Sequence, residues 1–507
     1  MKNLTKRWLA GWKGLLALVA VAVLVPVASE ARAQDEDYGA TYARVRYLEG
    51  QVTLQRTGES EVTEAALNDP LAPGDRIWTE AGRAEIALAD GSILRLDDST
   101  RLILRSLADI DNRYEKTDLM ALQDGSIQVQ VAEPSSQDAV FQIDSDGGSV
   151  YLLSEGTFRV DAEGGMTTVS SYRGAAELSG DAGSVLVRSG ERSSVQRGRA
   201  PADPRAFNTL RQDDFDRFCE NRAETYIQPE QEQAPDDVIE EIPEPVRPYY
   251  HELNFYGGWH NVPSYGWVWR PAYRGTWGPY VNGYWTWCPT GWVWVSYDPW
   301  GWAPYHYGRW DFTVDLGWFW IPGGVWGGGW VSFAVGTTYV GWCPLNYYNL
   351  PVFEGPTFVN VVNINVGRLR GRAWSFVPVG QFGARRGVRG VVRPDRLPRG
   401  TDLVVTGRLP HFSPREVAGH PDRGARFVDT VRRSRTPLPV IESRGGRPES
   451  FRTVETRTRP AGERRNPRQR MTPPAGRRSE GTAPPRAGTP SPRGQTPRER
   501  AVQPNPP

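Results

Sequence analysis

The sequence is poor in the residues that metal and nucleophilic chemistry use. Its 507 residues include five His and three Cys, and His251, His260, His306, His411 and His420 have no metal-ligand spacing with one another or with Cys. There is no Gly-x-x-x-x-Gly-Lys phosphate loop and no Gly-x-Ser-x-Gly elbow at a strand end. Gly323-Gly324 with Gly327-Gly328-Gly329 lacks the strand-to-helix setting of a dinucleotide fingerprint. Asp144-Ser145-Asp146-Gly147 begins as a calcium loop does, but without the remaining ligands, and reads as a turn. No base-reading motif is visible. The expectation is a protein that is not an enzyme, with no cofactor, no metal and no nucleic-acid partner. Three Cys are also too few for a disulfide framework. Beyond the N-terminal segment, no apolar run approaches the ~20 residues that a membrane helix needs.

What is present begins with an export signal. Lys2, Lys6, Arg7 and Lys13 form a basic start, Leu15 to Val27 is apolar throughout, and Ala31-Arg32-Ala33 is a small-x-small cleavage pattern. The apolar run is too short to span a bilayer as a helix. Residues 1–33 therefore read as a signal peptide, with a periplasmic or secreted, envelope-associated chain from Gln34. No Cys stands near the cleavage site to carry a lipid, and a single Arg7 points to general export.

The formal net charge of +1 hides a polarity along the chain. Glu232, Asp236, Asp237, Glu240 and Glu241 fall in a stretch without a basic residue, so residues 227–248 read as an acidic linker held extended by like-charge repulsion. Residues 367–507 are rich in Arg, Pro and Gly, and from about Pro414 onward so few large apolar residues remain that a largely disordered tail is expected.

Residues 42–196 read as all-β. Asp90-Gly91 joins Ala84 to Ala89 with Ser92 to Leu96, a hairpin signature. Similar runs begin at Gly50, Gly125, Gly156 and Gly174, and Val140 to Ile143 supplies another. Apolar residues on both strand faces near Leu94 predict two layers or a solenoid rather than one exposed sheet. Pro73-Gly74-Asp75-Arg76-Ile77-Trp78-Thr79, Ala84-Glu85-Ile86, Asp90-Gly91-Ser92, Gly125-Ser126-Ile127, Gly156-Thr157-Phe158-Arg159-Val160 and Ser189-Gly190-Glu191, in this order, resemble the extracytoplasmic FecR-type domain. In its name-giving members that domain is periplasmic and passes a ligand signal from a TonB-dependent outer-membrane transporter to a sigma factor. Those members also have a cytoplasmic segment and a membrane helix, and neither is expected here. Asp75 and Asp90 match the motif and read as turn residues.

Asp203-Pro204 predicts the start of one connecting helix over 203–226, with Asp203 as cap and an apolar stripe of Phe207, Leu210, Phe215 and Phe218.

Sixteen of the 20 Trp lie between Trp259 and Trp342. They define a second β module over 249–366, with a last strand at Thr357 to Val366. Gly266-Trp267-Val268-Trp269-Arg270-Pro271 and Gly317-Trp318-Phe319-Trp320-Ile321-Pro322 indicate an internal duplication. It continues by pairing Gly291-Trp292 with Gly329-Trp330, and Gly301-Trp302 with Gly341-Trp342. Trp267, Trp269, Trp285, Trp287, Trp292, Trp294, Trp318 and Trp320 alternate along strands, so their rings either build a core or form an open ligand platform, and both can hold on opposite faces. His306 either orients a sugar or is a packed ring bonded to backbone. Cys288 and Cys343 share the context Trp-Cys-Pro in this module and are the candidate disulfide. Together with Asp213 to Cys219 and Leu253 to Trp259, the run Pro299-Trp300-Gly301-Trp302-Ala303-Pro304-Tyr305-His306-Tyr307-Gly308-Arg309-Trp310 resembles an uncharacterised Trp-rich family that commonly follows FecR-like domains in exported bacterial proteins.

The fold class expected is all-β: a FecR-like domain, a duplicated aromatic-rich β module, one connecting helix and a disordered tail. The function expected is a non-catalytic envelope scaffold that attaches to peptidoglycan or lipopolysaccharide glycans through the Trp-rich module. The alternative is a FecR-like periplasmic signalling adaptor that docks a receptor domain, which predicts an exposed pairing edge within 42–196.

Overall fold

The computed structural model describes residues 42–108, 117–133, 140–225, 235–273, 277–352 and 373–384, with shorter stretches at 364–365, 391–398, 401–407, 409, 423–434, 440–441 and 451–452. The expected signal peptide lies outside the described residues, as do most of the expected strand at 357–366 and all of the chain beyond 452. Among the described residues no helix is long and apolar enough to cross a membrane.

The first module contains β1 (Ala43–Gln55), β2 (Val62–Glu64), β3 (Pro70–Leu71), β4 (Arg76–Ala87), β5 (Ile93–Leu96), β6 (Arg101–Ser106), β7 (Thr117–Val131) and β8 (Val140–Asp144). It continues with β9 (Ser149–Leu152), β10 (Gly156–Glu163), β11 (Met166–Arg173), β12 (Ala176–Gly180), β13 (Gly183–Val187), β14 (Glu191–Gln196) and β15 (Arg205–Ala206). All join one sheet whose main path runs β13-β12-β9-β8-β7-β10-β11-β14-β15. The Asp90-Gly91 hairpin forms as expected, with Ala84 opposite Leu96 and Ala87 opposite Ile93. The Asp90 carboxylate accepts the Ser92 N–H at 2.8 Å and its hydroxyl at 2.7 Å. Gly50, at φ +66°, sits where a Cβ would meet the Ala81 carbonyl oxygen at 2.1 Å. The β1–β4 register shifts there and again between Val45 and Tyr47, and such bulges bend strands. The sheet therefore curls around a single aliphatic core that includes Leu94, Val129, Val160, Val169, Leu178 and Val195.

The connecting helix starts later than expected. Arg205–Ala206 pairs with β14, and Leu210 is 88% exposed. Helix α1 (Asp214–Glu224) instead opens at Asp213, whose side chain accepts the Asp216 N–H while Asp216 accepts the Asp213 N–H. That reciprocal capping box outcompetes the Asp203-Pro204 signal.

The expected linker is also structured in its second half. Helix α2 (Asp236–Glu241), a 3-10 turn (Glu244–Tyr249) and helix α3 (Tyr250–Tyr256) carry Val238, Ile242, Val246 and Leu253 into the second core.

That core belongs to β16 (Gly257–Val262), β17 (Gly266–Pro271), β18 (Gly283–Cys288), β19 (Gly291–Ser296), helix α4 (Trp302–His306), β20 (Tyr307–Thr313), β21 (Gly317–Trp326), β22 (Val331–Val335) and β23 (Tyr339–Pro344). β16-β17-β21-β20 form one sheet and β18-β19 a hairpin. β24 (Ile364–Asn365), β25 (Ser375–Pro378) and β26 (Asp402–Thr406) extend β22-β23 in the order β24-β26-β22-β23-β25. Helix α5 (Arg423–Ser434) adds Val428 and Val431 to the core. Within the expected largely disordered tail, 375–378, 402–406 and 423–434 form these elements and bury Phe376, Val377, Leu403, Val428 and Val431.

Candidate functional site

The Trp-rich module is a duplication whose unit is a helix followed by two hairpins. α3, β16-β17 and β18-β19 make the first copy, and α4, β20-β21 and β22-β23 the second. Trp259 faces Trp269 across the first hairpin, and Trp310 faces Trp320 across its counterpart. Trp269 and Trp320 then face each other where the copies join. In the second hairpins, Trp285 and Trp294 contact Phe333 and Trp342 at centroid separations of 5.0–6.1 Å. The Gly266 and Gly317 segments correspond as expected. The further pairings expected from sequence do not hold: β19 corresponds to β23, β18 to β22, and Gly301-Trp302 opens a helix that corresponds to α3.

This arrangement decides most of the platform. Trp269, Trp294 and Trp320 are 0% exposed and Trp285 is 2% exposed, so these four rings are core. Trp267, Trp287, Trp292 and Trp318 are half-buried, and all but Trp287 pack against the same cluster. A flat eight-ring platform is not formed, because Trp269, Trp285, Trp294 and Trp320 face a second layer rather than solvent. His306 is a packed ring: Nδ1 lies 2.9 Å from the Gly327 carbonyl oxygen, and the Trp302 and Trp326 rings flank it. Burial pushes its pKa down to about 4.

The candidate disulfide is not formed. Cys219, Cys288 and Cys343 are all buried, and none is in a disulfide. Strand alternation explains the separation. Trp342 joins the central cluster with Cys288, whereas the next residue, Cys343, faces the other side of β23 among Ala334, Trp374 and Phe376. Burial raises the Cys343 thiol, which lies 3.3 Å from the Val352 carbonyl oxygen.

The chemistry missed by sequence reasoning lies where the two modules meet. Arg44 of β1 pairs with Glu252 of α3, both at most 3% exposed, and donates to the Asn68 side-chain oxygen at 2.9 Å. Asn68, at φ +60°, donates its amide to the Ser296 and Asp298 carbonyls at 3.0 and 2.9 Å. The Tyr284 hydroxyl donates to Asp69 at 3.1 Å, and Tyr42 bonds Thr290 while its ring meets Trp326 at 4.9 Å. Asp69 and Asp75 both hold Arg56, and Asp75 also accepts the N–H groups of Thr57 and Ala72. Asp75 is thus the turn residue expected, with an ion pair added. Burial raises the Asp298 carboxyl, which accepts from Asn282 at 2.9 Å and Tyr305 at 3.1 Å. The one sequence signal for this seam is Asn68-Asp69-Pro70, a turn cluster whose Asn tolerates a left-handed backbone.

Among the described residues β13 ends the main path of the first sheet and pairs with β12 alone, and its Leu186 is 39% exposed. The expected pairing edge is therefore present. Among the described residues no cluster of His, Cys, Asp and Glu could hold a metal.

The geometry defines a two-module β protein with an aliphatic and an indole core. Residues 75–177 match the FecR protein family, and residues 250–349 match a family of unknown function, DUF6600. The chain thus carries a FecR domain followed by a DUF6600 domain. Two solved structures of a protein from Parabacteroides distasonis ATCC 8503, inferred to be an anti-sigma factor, are similar to it at 16% and 15% identity, with TM-scores of 0.22 and 0.23. They cover 26% of this chain and 58% and 60% of their own. No curated protein matches the chain.

Proposed function

We propose that the chain is an exported, non-catalytic signalling adaptor of the cell envelope that docks a receptor domain through its FecR domain. The observation that carries this reading is the edge position of β13 among the described residues, beside a domain matching a family of envelope signalling proteins. An edge strand offers unpaired backbone N–H and C=O groups to an added strand. The Trp-rich module supports the adaptor as a scaffold, since its central rings are core and its hydrogen bonds run to the FecR domain.

The test is site-specific photo-cross-linking in the periplasm. A photoreactive residue at Leu186 is expected to give a discrete adduct with a receptor's periplasmic domain. Placed at Arg205, on the opposite edge, it gives none. Equal adducts from both positions, or none from Leu186, contradict the reading.

A further inference from the structure

The outer face of the first sheet is charged where its inner face is aliphatic. Arg83 and Glu85 alternate with Ala84 and Ile86, Arg95 lies between Leu94 and Leu96, and Arg159 lies between Phe158 and Val160. Helix α1 covers this face with two Phe rings and a set of acids. Arg83 stands 5.9 and 5.1 Å from the Phe215 and Phe218 centroids, and Arg159 stands 5.3 Å from Phe215. Arg159 donates to Asp213 at 2.6 Å and to Asp216 at 3.2 Å, and Tyr172 donates to Asp216 at 2.8 Å. Arg222 returns a cation to Glu85 at 3.0 Å. The apolar part of this contact is small. Phe215, Phe218 and Cys219, with Tyr47 beside them, form a cluster separate from the aliphatic core under the sheet. The helix is held by ion pairs and cation–π stacking, so it can leave without opening that core.

We infer that this arginine-bearing face is a docking groove for an acidic helix with Phe at positions i and i+3. α1 fills the groove in cis, and a partner helix of the same chemistry displaces it. Charge complementarity selects the occupant: the floor supplies guanidinium groups, and the N-terminal turn of α1 supplies Asp213, Asp214 and Asp216.

The probe is a fluorescent synthetic peptide of residues 211–225, titrated into the full chain. The Phe215→Ala/Phe218→Ala chain, whose own helix has lost its rings, is expected to bind the peptide at least tenfold tighter than the parent chain. Adding Arg159→Ala is expected to remove that gain. Equal affinity for the parent and double-variant chains, or affinity indifferent to Arg159→Ala, overturns the proposal. A second arm uses the unaltered chain: α1 amides are expected to exchange hydrogen at least 100-fold faster than those of β10. Exchange of α1 and β10 in one common step also overturns it.

Discussion

The two cores solve the same problem with different side chains. In the FecR domain, strand alternation buries aliphatic residues such as Leu94, Val129 and Val160. In the DUF6600 domain the same alternation buries indoles, and an indole asks for more than volume because its N–H needs an acceptor. Trp269, Trp310 and Trp342 donate to the carbonyls of Leu253, Pro304 and Tyr280 at 2.8–2.9 Å. Trp285 and Trp294 have no acceptor among the described residues. Glycine makes the room: a Cβ at Gly257 would lie 2.5 Å from the Trp269 ring, and one at Gly283 would lie 2.7 Å from the Trp294 ring. The Gly and Trp richness of this region is thus one property, close backbone approach over large rings. An aliphatic core tolerates many neighbours, while an indole core specifies them.

The largest effect is expected where the two cores are joined. Glu252→Ala leaves the Arg44 guanidinium buried without its carboxylate, and the loss is about 3–5 kcal/mol by chemical denaturation. It should also separate the unfolding of the two domains. An effect within experimental error would place the seam outside the folding unit.

The next effect distinguishes the cores by pH, since the ring of His306 lies in the indole core. Its folded pKa of about 4 is below the ordinary value of 6.5. The unfolded chain therefore binds the proton first, and stability declines as pH falls from about 6.5 to about 4, by about 3 kcal/mol. Asp298 has a raised pKa and acts in the opposite sense, so the His306→Asn chain is the reference. An identical pH slope in that chain would contradict the assignment.

Smaller effects separate packing from hydrogen bonding. Gly257→Ala should cost about 1–3 kcal/mol through overpacking, whereas Gly380→Ala, with nothing within 4 Å, should be near neutral. Trp269→Phe should cost about 1 kcal/mol more than Trp294→Phe, because only the first loses an indole hydrogen bond. Equal costs would mean that ring volume alone specifies this core.

Much of the fold was legible because strand alternation and Gly-marked turns are local. The Asp90-Gly91 hairpin and the matching Gly266 and Gly317 segments followed from such patterns. α1 was misplaced because Asp203-Pro204 and the Asp213/Asp216 box are both valid starts, and a tertiary pairing, Arg205–Ala206 on β14, chose between them. The fate of the rings was open for the same reason: period two says that Trp292 and Trp294 share a side, and only the second layer decides which is covered. The seam was least legible. Arg44, Asn68, Glu252 and Tyr284 are separated by up to 240 positions, and no local pattern links them.

The aliphatic and indole cores are expected to fold as one unit across this seam. The most direct measurement is a denaturant titration followed by two probes, with Trp emission reporting the second domain and hydrogen exchange of β5 and β10 reporting the first. Coincident transitions in the parent chain, which separate in the Asn68→Ala chain, are the predicted result. Two transitions already separate in the parent chain, and unmoved by Asn68→Ala, would contradict it.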